Sequence, residues 1–523
     1  MNATGSQTLA TALGRRALTD ADRTFLIFED DAGHMSERSY GEVYRRAACA
    51  ANAFTSMGVA KGDAVHVHLT NCPEFFDCWF GAALMGAVAV PTNTLWTADE
   101  LAFAVSHSNA RITVTEPSLL DSVLAAQASS TSSHDVLVAR ADSEPSGART
   151  HLFESAIGAA SPVPPAGKGP APRDVATIMY TSGTTSRPKG VCVTHANYLF
   201  VGEVVAQHLR MRPGDRMMVV LPLFHANAQY YSTMSALVTG SSMVVAERFS
   251  ASRWSQQVAR YGATLASLFA APIRMILAQE AHPLDNQNKL RAVIFSQNVT
   301  EEQLVEFEHR FGCPLLQLYG MTETIAPPTL NPLYGERRNM SIGRPTLSAT
   351  IRLVDEQGGD VAEGDVGELL VHGVPGMTLM AGYLDDPDAT QSAVRDGWLH
   401  TGDNVRADEA GYLYFVDRAK DMIKRAGENV SASEVEAVIN RHQAVFESAV
   451  VGVPDPMRDE SVKAFVVIAP DTEVGEAELI EWCAGRLAKY KVPGSVEFVD
   501  TLPRTPVGKI QKEKLRERPS ELK

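Results

Sequence analysis

The sequence predicts an α/β protein in two unequal parts. A large N-terminal domain of mixed, largely parallel sheets covered by helices carries a small β region, and a small α+β domain follows it. Three observations support this. At 523 residues the chain exceeds the usual size of one domain. Short apolar strand-like runs alternate with helical patterns through residues 40–319, as in parallel sheets covered by helices. From residue 351 the character shifts, first to short strands between Gly/Asp turns and then to a mixture of helix and strand.

Ser39 precedes a helical pattern over 40–57 that Gly58 stops. Lys61-Gly62-Asp63 is a turn, and 64–69 alternates as a strand. Residues 72–85 read as a helix ending at Gly86, 87–91 as a short apolar strand, 97–106 as a helix and 111–115 as a strand. Residues 141–172, rich in Ala, Ser, Pro and Gly, read as a long surface connection. Helices are expected over 196–209, 254–261 and 301–311. Strands are expected over 216–221, 243–246, 265–269, 290–295 and 315–319, with 223–229 (LFHANAQ) as a pocket wall. Residues 351–354, 367–371 and 411–416 supply the small antiparallel β region. Helices over 433–441 and 476–488, with strands over 448–453 and 463–468, supply the last domain. The boundary falls near residues 417–420, which gives domains 1–417 and 418–523.

The composition is that of a globular protein, with 45% hydrophobic and 21% charged residues. A formal net charge of −15 argues against a nonspecific nucleic-acid binder. The six cysteines (Cys49, Cys72, Cys78, Cys192, Cys313 and Cys483) are mostly scattered through apolar runs with no His cluster beside them. They suggest reduced thiols, not a zinc site or a disulfide framework. The N-terminus lacks the order of segments a secretory signal needs, and no apolar run approaches the roughly 20 residues of a membrane span. The expected location is cytoplasmic.

The stretch that organises the chemistry is 180–190, YTSGTTSRPKG, set between the apolar runs 175–179 and 191–194. Gly183 can take conformations a Cβ forbids. Thr181, Ser182, Thr184, Thr185 and Ser186 offer hydroxyl donors, and Lys189 adds a compact cation. Many short donors on a pliable backbone with one positive charge suit a triphosphate. A Ser/Thr/Gly hairpin loop would have the same composition. A Walker A loop is excluded, because Pro188 precedes Lys189, Gly190 follows it, and a strand comes next.

Four further motifs follow in order: 319–324 (YGMTET), 398–403 (WLHTGD), 417–430 (DRAKDMIKRAGENV) and 503–510 (PRTPVGKI). With 180–190 they resemble the signature set of the adenylate-forming superfamily of acyl-CoA synthetases, luciferases and adenylation domains. The resemblance runs from about residue 39 to the C-terminus. Residues 71–91, 182–190 and 319–325 are similar to the carnitine/crotonobetaine-type acid–CoA ligases.

The resemblance implies ATP, Mg²⁺ and coenzyme A as cofactors and a small-molecule carboxylic acid as substrate. It implies that the signature loop grips the β- and γ-phosphates, that Thr322 contacts the α-phosphate, that Glu323 holds Mg²⁺ and that Tyr319 stacks on adenine. Asp403 would accept hydrogen bonds from both ribose hydroxyls, where a carboxylate makes the stronger bond, and Arg418 would assist ribose or phosphate. Lys509 matches the family's catalytic lysine, bridging α-phosphate and substrate carboxylate. To reach the phosphates it needs the small domain folded over the large one. That domain is therefore expected to be mobile, with Lys420 at the hinge position. In the CoA stage, Gly427 in the 426–430 loop would let the pantetheine arm pass. His225 would stand at the gate between the pantetheine tunnel and the acyl pocket. Ser296-Gln297-Asn298 departs from the Gly-rich segment many members carry there.

Alternatives remain at this level. The acyl group could pass to a carrier protein or partner enzyme instead of CoA, although no carrier domain is expected in a chain ending shortly after Lys509. A nucleotide-binding protein without catalysis would have no need of Glu323, Asp403 and Lys509 together. An amino-acid substrate is disfavoured, since residues 221–246 contain no Asp or Glu to pair with an ammonium. Small side chains at Ala226, Ala228 and Ala270-Ala271 suggest room for a bulky apolar acid. The likeness to carnitine/crotonobetaine ligases points instead to a short trimethylammonium acid, for which Tyr230 and Tyr231 could contribute to an aromatic cage. Oligomeric state is left open.

Overall fold

The computed structural model describes residues 5–129, 134–147, 149–167, 169–181, 188–338, 340–418, 422–425, 428–455, 459–504 and 510–517. Two large sheets dominate. The first has nine strands, and its parallel centre runs Leu315–Tyr319, Ala292–Ser296, Leu265–Phe269, Arg216–Val219, Ser242–Ala246, Thr24–Glu29. The second has eight, with a parallel run Val175–Thr181, Val88–Pro91, Ala64–Val67, Ala110–Thr115, Asp135–Val138, Thr150–Leu152. Lys189–Thr194 then turns back antiparallel on Val175–Thr181, and Gly382–Tyr383 pairs antiparallel with its outer edge. A chain that alternates strand with covering helix produces this arrangement.

The helices form where local chemistry satisfies their ends. Ser39 accepts from the Glu42 amide while Glu42 reaches back to the Ser39 amide, which starts the helix Tyr40–Ser56. Pro73–Met85 opens with proline at its first turn and closes on Gly86 at φ 76°, a left-handed conformation in which glycine carries no Cβ penalty. Both helices pack with Leu9–Thr19 and the sheets into the principal core, around Phe25, Phe54, Phe76, Trp79, Tyr198 and Tyr230. Asn71, just past the strand Ala64–Val67, clamps the second sheet to the first. Its amide donates to Leu221 O (3.1 Å) and Ala246 O (3.0 Å), and its carbonyl accepts from Leu223 N (2.7 Å).

One stretch differs from expectation. Residues 141–172 are not a plain surface connection: Thr150–Leu152 is the edge strand of the second sheet, and Phe153–Gly158 is a helix with Phe153 fully buried. A three-residue strand feeding a six-residue helix is too short for periodicity to stand out from the Ala/Ser/Pro background.

The small β region is an antiparallel sheet of Thr350–Val354, Val366–His372, Trp398–Ala407 and Val394–Arg395, with Leu413–Arg418 added on Trp398–Ala407. A fourth sheet combines Ile423–Arg425, Glu428–Val430, Asp459–Ile468, Val445–Asp455 and Ser495–Phe498 with the helices Ala432–Ile439 and Glu476–Ala484. One sheet thus ends at Arg418 and the next begins at Ile423. Glu447 of the fourth sheet pairs with Arg504 and lies 3.8 Å from Arg274 on the helix Ala270–Leu277. Among the described residues, no helix is long and apolar enough to cross a membrane.

Candidate functional site

The site begins where the strand Leu315–Tyr319 runs out of the first sheet. Thr322–Thr324 forms one 3₁₀ turn, fixed by Thr324 Oγ1 accepting from Met321 N (3.1 Å) and donating to Met321 O (2.9 Å). The chain leaves it through Ile325 at φ 63° and ψ −79°, a strained conformation for a β-branched residue. Glu323 is buried at 6% exposure, and its carbonyl accepts from Met380 N (3.0 Å). Tyr230 Oη donates to Thr322 O at 3.4 Å. Gly320 is required by close approach, since a Cβ there would lie 2.6 Å from the Tyr231 hydroxyl.

Asp403 reaches the same place from the small β region. In the pairing of Val366–His372 with Trp398–Ala407, Glu368 stands opposite Asn404 and Leu370 opposite His400. Residues 401–403 therefore bulge out against Leu369, and a bulge re-aims side chains. Glu368 holds the bulge: its carboxylate accepts from Gly402 N (3.0 Å) and contacts His400 Nδ1 (3.1 Å). Thr401 Oγ1 donates to Leu369 O (2.7 Å). Tyr319 Oη donates to Asp403 Oδ2 at 2.5 Å across 84 positions of chain. Arg418 is the cross-strand partner of Asp403.

The third component comes from the second sheet. Thr181 and Lys189 are opposed where the two strands flanking the signature loop meet. Lys189 Nζ lies 4.7 Å from the centroid of the Tyr383 ring, and Tyr383 Oη donates to Glu323 Oε1 at 3.0 Å. Burial, reinforced by the Glu323 carboxylate, pushes the Tyr383 phenol well above its ordinary pKa, so it stays a donor.

The predicted pocket residues come together beside these. His225 stacks edge-on against Phe269 at 5.6 Å, and its Nδ1 accepts from Asn227 N (3.2 Å). Phe269 immediately precedes Ala270, and Ser267 Oγ donates to Asn227 Oδ1 (2.7 Å). From Asn227 the wall becomes a π-helix, Asn227–Met234, a form frequent at functional sites. Ala226, Ala228, Ala270 and Ala271 are 8%, 0%, 1% and 6% exposed. Ala228 sits in the principal core, so its small side chain is a packing requirement and leaves no open volume. Ala228 therefore contributes no room for a bulky acid.

Ser182, Gly183, Thr184, Thr185, Lys420, Gly427 and Lys509 lie outside the described residues, as does the side chain of Arg418. Sequence reasoning missed Tyr383 and Glu368. Both act through partners on neighbouring strands, and the only local signals are a Gly-Tyr pair at 382–383 and a Gly-Glu pair at 367–368.

A sequence profile described as AMP-binding enzyme matches residues 13–384, and one described as AMP-binding enzyme C-terminal domain matches 434–509. The chain belongs to the AMP-binding enzyme family. Among curated relatives of this AMP-binding enzyme, a crotonobetaine/carnitine–CoA ligase of Salmonella heidelberg is 38% identical over 523 residues, covering 99% of this chain and 100% of the relative. Among solved structures, the anthranilate CoA ligase AuaEII in complex with anthranoyl-AMP superposes with a TM-score of 0.89 at 25% identity, covering 98% of this chain and 97% of that one. ATP-bound MatB from Rhodopseudomonas palustris superposes with a TM-score of 0.86 at 30% identity, covering 98% and 99%.

Proposed function

We propose that this AMP-binding enzyme is an ATP-dependent acid–CoA ligase. A carboxylate oxygen of the acid attacks the α-phosphorus of ATP and pyrophosphate leaves. The thiol of CoA then attacks the acyl carbonyl of the acyl-AMP, and AMP leaves. The observation that carries this reading is the convergence of three distant motifs: the Glu323–Tyr383–Lys189 group and the Tyr319–Asp403 pair lie at the two ends of one short strand-to-turn segment. A buried carboxylate beside a loop cation fits a metal-bound polyphosphate, and a carboxylate beside a phenol fits a nucleoside.

Each residue then has a task. Asp403 accepts from the ribose hydroxyls and the Tyr319 ring lies against adenine. Lys189 and the hydroxyls of 181–186 grip the β- and γ-phosphates, while Thr322 meets the α-phosphate. Glu323 holds Mg²⁺, which when bound offsets charge on the phosphates and the leaving pyrophosphate. Residues 1–417 bind ATP and acid. Residues 418–523 form the smaller domain that turns on Lys420, delivers Lys509 for adenylation and later brings Gly427 to the pantetheine path. CoA, not a carrier protein, is the acceptor in this reading, in line with the CoA ligases among its relatives.

The acid is compact. The full-length similarity to crotonobetaine/carnitine ligases supports a small acyl group. ATP–pyrophosphate exchange over a panel of crotonobetaine, carnitine, short aliphatic acids and polycyclic acids tests both parts, with acyl-CoA detected by mass spectrometry. Exchange that requires an acid, followed by a thioester in the presence of CoA, is expected, with kcat/KM highest for a compact acid. Exchange with no acid on the panel would overturn the ligase reading, and preference for a polycyclic acid would overturn the compact pocket alone.

A further inference from the structure

Tyr383 serves two oppositely charged groups of the site at once. Its strand, Gly382–Tyr383, forms the edge of the second sheet opposite Thr150–Leu152, and Tyr383 is the cross-strand partner of Val191. Lys189 lies two residues from Val191 on the same strand and thus on the same face. The ring therefore takes the diagonal position beneath Lys189, with Nζ at 4.7 Å from its centroid. Backbone contacts hold it there: Tyr383 N donates to Thr390 Oγ1 (2.8 Å), Ala381 N to Cys192 O (2.9 Å) and Leu384 N to Gly190 O (2.7 Å). From this fixed base the hydroxyl reaches Glu323 Oε1 at 3.0 Å.

We infer that Tyr383 is a positioning residue that orients the Glu323 carboxylate for Mg²⁺ through its hydroxyl and steadies the phosphate-loop cation Lys189 with its ring face. This rests on the ATP-binding reading above. A hydrogen bond from a phenol to one carboxylate oxygen limits the freedom of the group to swing. Outer partners of this kind commonly change metal affinity by about 10- to 100-fold when removed. The ring contributes separately, because an ammonium held over an aromatic face is already close to where a polyphosphate needs it.

The two contributions can be separated by Tyr383→Phe, which keeps the ring and removes the donor, and Tyr383→Leu, which removes both. Binding of α,β-methylene-ATP to the full chain would be measured by titration calorimetry in MgCl₂ and in EDTA, with the melting temperature of each unliganded variant alongside. In Tyr383→Phe the Mg²⁺-dependent gain in affinity should shrink about tenfold, while affinity in EDTA stays at the wild-type value. Tyr383→Leu should show the same loss and also bind about threefold more weakly in EDTA. Equal weakening in both buffers, or unchanged binding in both, would overturn the positioning role and leave the ligase reading intact. A wild-type protein that binds no nucleotide in either buffer would overturn both.

Discussion

The phenol of Tyr319 makes the shortest polar contact described at the site, 2.5 Å to Asp403, yet the residue's assigned task is to present its ring to adenine. The tether explains how a residue at a strand end can keep one ring orientation: the hydroxyl is fixed by a carboxylate 84 positions away. Tyr319→Phe keeps the stacking surface and removes the phenol's hydrogen bond to Asp403. A hydrogen bond to a charged group contributes about 1.5–3 kcal/mol, so AMP affinity should fall about 10- to 150-fold. Tyr319→Ala removes the stack as well and should cost roughly a further 5- to 150-fold, from about 1–3 kcal/mol of base stacking. Calorimetric titration with AMP checks both, and a Phe variant that binds like wild type would detach Asp403 orientation from the phenol. Tyr319, Thr322, Glu323 and Asp403 were legible because each lies inside a short contiguous motif. Tyr383 and Glu368 were not, because their roles depend on which strand lies alongside, and residue spacing carries no such information.

Secondary-structure elements were legible to the extent that their ends are chemical. Thr97 with Glu100 and Thr300 with Gln303 cap the helices Ala98–His107 and Glu301–Phe311, both anticipated within a residue or two. The glycines Gly58, Gly86 and Gly312, all at positive φ, mark where helices stop. The bulge at 401–403 carries a glycine at φ 69°, Gly402, but a lone glycine does not say which strand lies opposite, and the bulge is a mismatch of register between two strands. The π-helix Asn227–Met234 was equally invisible: its extra residue per turn is fixed by tertiary contacts such as Tyr230 to Thr322, not by propensity. These irregular elements adjoin the site, which fits the general expectation that local rules are broken where function is carried.

At the scale of the molecule, the second sheet carries a buried chain of imidazoles and hydroxyls that sets a limit on acid stability. His134 Nε2 contacts Thr113 Oγ1 (2.7 Å) and Thr113 contacts His66 Nδ1 (3.0 Å). His66 Nε2 contacts Thr92 Oγ1 (2.7 Å), which also meets His68 Nδ1 (3.0 Å). Burial holds all three histidines below the ordinary value of 6.5, His68 at about 4. The unfolded chain therefore binds protons below pH 6.5 that the folded chain refuses, and stability falls as pH drops from there toward 4. His68 alone costs about 1.4 kcal/mol per pH unit within that window. The melting temperature should decline steeply between pH 6.5 and 4, and His68→Gln should flatten the decline; a variant with the wild-type slope would contradict this origin. The domains, sheets and site together lead to one chemical claim, that the acid's own oxygen attacks the α-phosphorus. Turnover of acid labelled with ¹⁸O in both carboxylate oxygens, in the presence of ATP and CoA, tests it directly. AMP carrying a single ¹⁸O and unlabelled pyrophosphate are expected. Label in phosphate, or ADP as the nucleotide product, would contradict it.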